Sequence, residues 1–127
     1  MASRARAAAI PERDLDALRQ IFGASAGSVE VVANSRFAKL HGALATTRRD
    51  RIYLACSLEC FLRDPRLMLH EYYHVIAQWN CGELSTGRYL WESLQNGYRR
   101  NCYEIDACRF ADSHLAEFKR LRGILEP

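Results

Sequence analysis

The 127-residue sequence holds five cysteines, Cys56, Cys60, Cys81, Cys102 and Cys108, but no C-x-x-C pair. That absence argues against a structural zinc knuckle. The odd count, without a secretory leader, points to reduced thiols and a cytoplasmic setting. The opening "MASRARAAAIPERD" carries arginines, but its apolar run stops at Pro11 and Glu12, too soon for a signal-peptide core. No stretch approaches the roughly 18 apolar residues of a membrane span, so no membrane association is expected. Internal repeats and low-complexity segments are also lacking. The net charge is only +3. Its basic residues fall into three small clusters: Arg48, Arg49 and Arg51; Arg99 and Arg100; Lys119, Arg120 and Arg122. No nucleic-acid motif accompanies them, so they read as solvated surface and no nucleic-acid partner is expected.

What is present has the length and the 49% hydrophobic content of one folded domain. Residues 1–10 read as a flexible tail and 11–127 as a single domain. "PERDLDALRQIFG" predicts a first helix, with Pro11 early and Gly23 as its stop. "ASAGS" reads as a loop, "VEVVA" as a short strand, and "NSRFAKLHG" as a helical turn closing at Gly42. "ALATT" and "RIYLA" flank "RRD" and suggest a hairpin. From residue 56 the pattern turns helical. Asp64 followed by Pro65 predicts a helix start, running to about Asn80 with Met68, Tyr72, Val75, Ile76 and Trp79 as its core stripe. A further helix is expected from about Arg88, broken near Gly97. "CYEIDACRFADSHLAEFKRLRG" is the last. Strands first and helices after give an α+β class: a short N-terminal hairpin or sheet, one motif-bearing helix, then C-terminal helices.

That motif-bearing helix reads "LMLHEYYHVIAQW" and contains H-E-x-x-H at His70, Glu71 and His74. Histidines four apart lie one turn above each other on the same helix face, where both imidazoles can meet one ion. Glu71 is rotated by about 100° from His70, so it misses the ion but reaches a water beside it. Zinc lowers the pKa of such a water to near 7, and the glutamate takes its proton, an arrangement suited to amide hydrolysis. The plain alternative is a chance pattern in a core helix. Two buried histidines without a task would still need hydrogen-bond partners.

A catalytic zinc takes three protein ligands. The extended pattern H-E-x-x-H-x-x-G-x-x-H is absent, because Ala77 and Asn80 stand in its last two places. His41, His114 and the downstream acids remain. Glu104 shares a helix face with Ala107, Cys108 and Ala111, a small apolar face able to pack on the motif helix and present a carboxylate. Asp106 faces elsewhere and suits a role orienting an imidazole N–H, though it remains a ligand alternative. Tyr98, Tyr103, Arg99 and His114 are candidates for stabilising an oxyanion. Cys102 and Cys108 would serve zinc if Glu104 does not. "RIYLA" is a candidate edge strand for pairing with an extended substrate.

"LMLHEYYHVIAQWNCGEL" followed by "RYLWESLQNGYRRNCYEIDACRFA" resembles the small gluzincin-like domains of bacteria known as DUF4157. The likeness spans about residues 28 to 118. It implies a zincin-like fold and a zinc metallopeptidase acting on peptide or protein substrates. His70, His74 and Glu104 would be its Zn²⁺ ligands and Glu71 its base. Larger gluzincins carry Asp four residues after the third ligand, where this chain has Cys108. A different class competes: a zinc-stabilised binding or processing module with weak or no turnover. Oligomeric state and substrate are not readable from the residues.

Overall fold

The computed structural model describes residues 6–40, 44–97 and 100–123. Its sheet forms from four short strands: β1 (Arg6–Ala8), β2 (Glu30–Ala33), β3 (Ala45–Arg48) and β4 (Arg51–Leu54), in the order β1-β2-β4-β3. β1 and β2 run antiparallel, β2 and β4 parallel, and β4 and β3 antiparallel. Residues 6–8 were expected in a loose tail. They form a strand because the open edge of β2 offers backbone partners from Val31 to Ala33. β3 and β4 are the expected hairpin, turning at Asp50, whose φ of 59° suits a small polar residue. "RIYLA" is not an edge strand, however. β4 lies between β2 and β3, and the edge beside the motif belongs to β3.

The helices are α1 (Glu12–Phe22), α2 (Arg36–Leu40), α3 (Leu58–Leu62), α4 (Pro65–Tyr73), α5 (Thr86–Asn96) and α6 (Cys102–Leu121). The class is therefore α+β, with the helices outweighing a small mixed sheet. "ASAGS", expected as a loop, is a 3₁₀ turn (Ala24–Ser28). The predicted close of α2 at Gly42 lies outside the described residues. α4 begins as its sequence dictates: the Asp64 side chain accepts from Leu67 N at 3.0 Å, and Pro65 takes the first helical position. After Tyr73 it continues as one π-helical stretch, His74–Trp79. That stretch brings Trp79 against β3, where its indole N–H donates to Thr47 Oγ1 at 3.1 Å.

The core lies between the sheet and the α4–α6 pair. Val31, Ile52 and Leu54 from the sheet meet Met68, Leu69, Tyr72 and Val75 from the motif helix, with Ala111 and Phe118 from α6. Ala107 and Ala111 are fully buried, and their small side chains allow α6 to approach α4 closely. Arg122 corrects one reading of the basic clusters. It is 3% exposed, donates to Asp14 at 2.7 Å and to the Leu62 carbonyl at 2.7 Å, and so clamps α6 to α1 and α3.

Candidate metal centre

α4 and the first turn of α6 bring three side chains together. His70 Nε2 lies 3.1 Å from His74 Nε2 and 2.9 Å from Glu104 Oε1, and His74 Nε2 lies 3.3 Å from the same oxygen. Each spacing has a local cause. His70 and His74 are four apart on one continuous helix, with ring centroids 4.7 Å apart. Glu104 stands in the first turn of α6, on the face whose Ala107 and Ala111 lie against α4. Of the described histidine, cysteine and acidic residues, these three form the cluster suited to a metal ion.

The donor set fits zinc. Atoms held about 2.0–2.1 Å from a shared tetrahedral centre lie about 3.3–3.4 Å apart. The observed separations, 2.9 to 3.3 Å, fall just inside that distance. The hydrogen bonds around the cluster aim lone pairs inward. Gln78 Nε2 donates to the Tyr103 carbonyl at 3.0 Å, which turns its Oε1 to accept from His74 Nδ1–H at 2.6 Å. In its neutral form, with the proton on Nδ1, His74 turns an Nε2 lone pair toward the other two donors, where either a second proton or a metal ion can be held. Tyr89 Oη donates to Glu104 Oε2 at 2.6 Å, leaving Oε1 for the imidazoles.

The electrostatics agree. Burial opposes ionisation of Glu104, but the hydrogen bonds from His70 and His74, the nearby His74 charge and Tyr89 hold its carboxyl well below the usual range. Burial works against charge on His74 too, yet Glu104 and Glu71 raise its pKa above the ordinary imidazole value. Glu71 shifts in the direction opposite to Glu104. It is 7% exposed, and desolvation raises its pKa despite the two histidines. Its side chain lines a cavity of about 300 Å³ together with His74, Glu104, Trp79, Leu84 and β3. No hydrogen bond to its carboxylate is made among the described residues, so it faces that cavity unpaired.

Other expected residues lie elsewhere. Asp106 is exposed and does not reach either imidazole. Its orienting role falls instead to Gln78 for His74. For His70 the neighbour is Cys108, whose Sγ is 3.7 Å from Nδ1. Tyr103 turns its hydroxyl away, donating to the Glu83 carbonyl at 3.1 Å, so it does not face the cavity as an oxyanion donor would. His114 stacks on Phe110 and bonds that residue's carbonyl, away from the cluster. Cys102 is exposed at the start of α6. Tyr98, Arg99 and His41 lie outside the described residues. Two contributors escaped the sequence reading. Gln78 carried a signal, since it follows His74 by four on the same helix. Tyr89, fifteen residues before Glu104, carried none.

The chain matches no protein-family model, no curated protein and no solved structure.

Proposed function

We propose that this protein is a zinc-dependent metallopeptidase of zincin-like architecture. The observation that carries the reading is the convergence of His70 Nε2, His74 Nε2 and Glu104 Oε1 beside the unpaired, buried carboxylate of Glu71. His70, His74 and Glu104 would hold Zn²⁺. Zinc bound by these donors would supply Lewis acidity to water and to a peptide carbonyl. The chain's own groups do the rest. A Glu71 carboxylate oxygen takes the proton of the attacking water and returns it to the leaving amine, a task for which its raised pKa suits it. β3, the open edge of the sheet, lies along the cavity through Ala45, Thr46, Thr47 and Arg48. An extended substrate pairs its backbone there. Gln78 and Tyr89 keep His74 and Glu104 aimed inward.

One observation favours a second reading. The wall of the cavity facing β3 includes α5, which buries none of its residues. A wall so loosely packed suits a zinc-stabilised binding module without turnover. A peptide-library digest read by mass spectrometry, run beside a zinc assay, separates the two. We expect close to one zinc per chain in the wild type and in Glu71→Gln, and loss of zinc in His70→Ala, His74→Ala and Glu104→Ala. Asp106→Ala, altering a solvent-facing side chain, keeps its zinc. Cleavage by Glu71→Gln falls by about 10²–10⁴-fold, as for loss of a general base. Equal cleavage by wild type and Glu71→Gln rules out the mechanism. No cleavage by zinc-loaded wild type favours the binding module.

A further inference from the structure

The cavity beside the cluster does not end at Trp79. It shares Arg48, Trp79 and Leu84 with a second, more open groove of about 520 Å³ that runs over the β3–β4 turn. Three arginines line this groove against one acid, Asp50. The Asp50 carboxylate is engaged by Asn80 Nδ2 at 2.8 Å, and Arg51 pairs with Glu30 at 3.1 Å. Arg48 and Arg49 pair with no carboxylate among the described residues. Arg48 is also held in place. Its guanidinium lies 4.9 Å from the Phe37 ring centroid and 5.5 Å from that of Trp79, and it donates to the Thr47 carbonyl at 2.6 Å. A guanidinium positioned this way loses little freedom when it meets an anion.

The cleft therefore changes character along its length. Glu71 and Glu104 mark the cluster end, Trp79 and Leu84 form an apolar middle with Arg48 beside them, and Arg49 lies at the far end; neither arginine has a carboxylate partner among the described residues. We propose that the groove selects polypeptide substrates carrying acidic residues on one side of the scissile bond, bound by Arg48 and Arg49. The proposal rests on the peptidase reading of the site and adds the substrate class. A nucleic acid fits less well, because a continuous polyanion would have to pass Glu71 and Glu104.

The test uses three blocked dodecapeptides with one central sequence. One carries Glu-Asp-Glu on the N-terminal side of the centre, one carries it on the C-terminal side, and one has Gln-Asn-Gln on both sides. Zinc-loaded wild type should cleave one acidic peptide with a kcat/KM about five- to tenfold above the amide peptide, the size expected of two partly exposed ion pairs. That ratio should collapse in about 0.5 M salt, where such pairs are screened. It should fall to one or below in Arg48→Glu/Arg49→Glu. Arg49→Glu alone, altering an exposed side chain, should lower it part of the way and serves if the double variant does not fold. Equal rates on all three peptides overturn the proposal, as does a preference that survives charge reversal. If wild type cleaves none of them, binding decides the groove, and the peptidase reading fails only if the library digest is negative too. Fluorescence anisotropy with Glu71→Gln protein should then show labelled acidic peptide binding more tightly than the amide peptide, with the difference lost when Arg49→Glu is added. Equal binding of the two peptides overturns the groove assignment. So does a single-stranded oligonucleotide that binds more tightly than the acidic peptide at physiological salt.

Discussion

At the scale of single residues, the site depends on hydrogen bonds that fix which atoms face inward. Gln78 Oε1 accepts from His74 Nδ1 at 2.6 Å, and Tyr89 Oη donates to Glu104 Oε2 at 2.6 Å. Neither residue belongs to the three-donor cluster, yet each orients a member of it. Gln78→Ala and Tyr89→Phe should each weaken zinc affinity by about 10–100-fold without unfolding the chain, as partners of metal ligands typically do. Competition titration with a chromogenic chelator measures this, and unchanged affinity in both would remove their orienting role. Proton competition has a definite sign here. In the metal-free protein His74 holds its proton more tightly than an ordinary imidazole. Zinc must displace that proton, so affinity should begin to fall, as pH drops, above the usual imidazole range. Glu71→Gln keeps all three donors but removes one of the two carboxylates that raise the His74 pKa, and should move that onset to lower pH.

At the scale of elements, the decisive junction is the start of α6. Asn101 is fully buried, and its Oδ1 accepts from Tyr103 N at 2.9 Å, capping the helix that carries Glu104. Its Nδ2 donates to Ser93 Oγ at 2.9 Å and to the Tyr89 carbonyl at 3.3 Å, tying α5 to the same point. Asn101→Ala should cost about 1–2 kcal/mol from the lost cap. It should also release α5 and weaken zinc binding through Tyr89. Asn101→Asp keeps the cap but loses both donors. It should therefore retain most of the stability while sharing the zinc defect. Denaturant unfolding together with zinc titration separates the two effects. Identical stability losses in both variants would show that the tie to α5, not the cap, dominates.

At the scale of the whole molecule, the Asp14–Arg122 pair spans 108 positions of sequence at 2.7 Å, with both side chains almost fully buried. Removing one partner strands the other charge in the core. Asp14→Ala should therefore destabilise by about 3–5 kcal/mol, the usual range for breaking a buried pair. Asp14→Asn, which keeps an acceptor for the guanidinium, should cost less. Urea denaturation of the zinc-loaded protein checks both, and a loss below about 1 kcal/mol for Asp14→Ala would show that solvent reaches the pair. No helix among the described residues is long and apolar enough to cross a membrane.

The sequence by itself determined whatever depends on neighbours a few positions apart. The Asp64–Pro65 start, the His70–His74 face, the Gly97 break and the Met68–Tyr72–Val75 stripe follow from helical spacing and capping. The face of α6 that carries Glu104 was legible for the same reason, because Ala107 and Ala111 mark the side that packs closely. Tertiary structure alone decided what depends on distant partners. β3 rather than β4 became the open edge because β2 pairs in parallel with β4, which no local pattern encodes. Arg122 looked like one more solvated arginine until Asp14 met it from the far end of the chain. Asp106 gave way to Gln78 and Cys108 because helix packing, not proximity in sequence, sets which atoms reach an imidazole. Tyr89 reaches Glu104 because α5, which Asn101 bonds at the Tyr89 carbonyl and Ser93, lies beside the cluster.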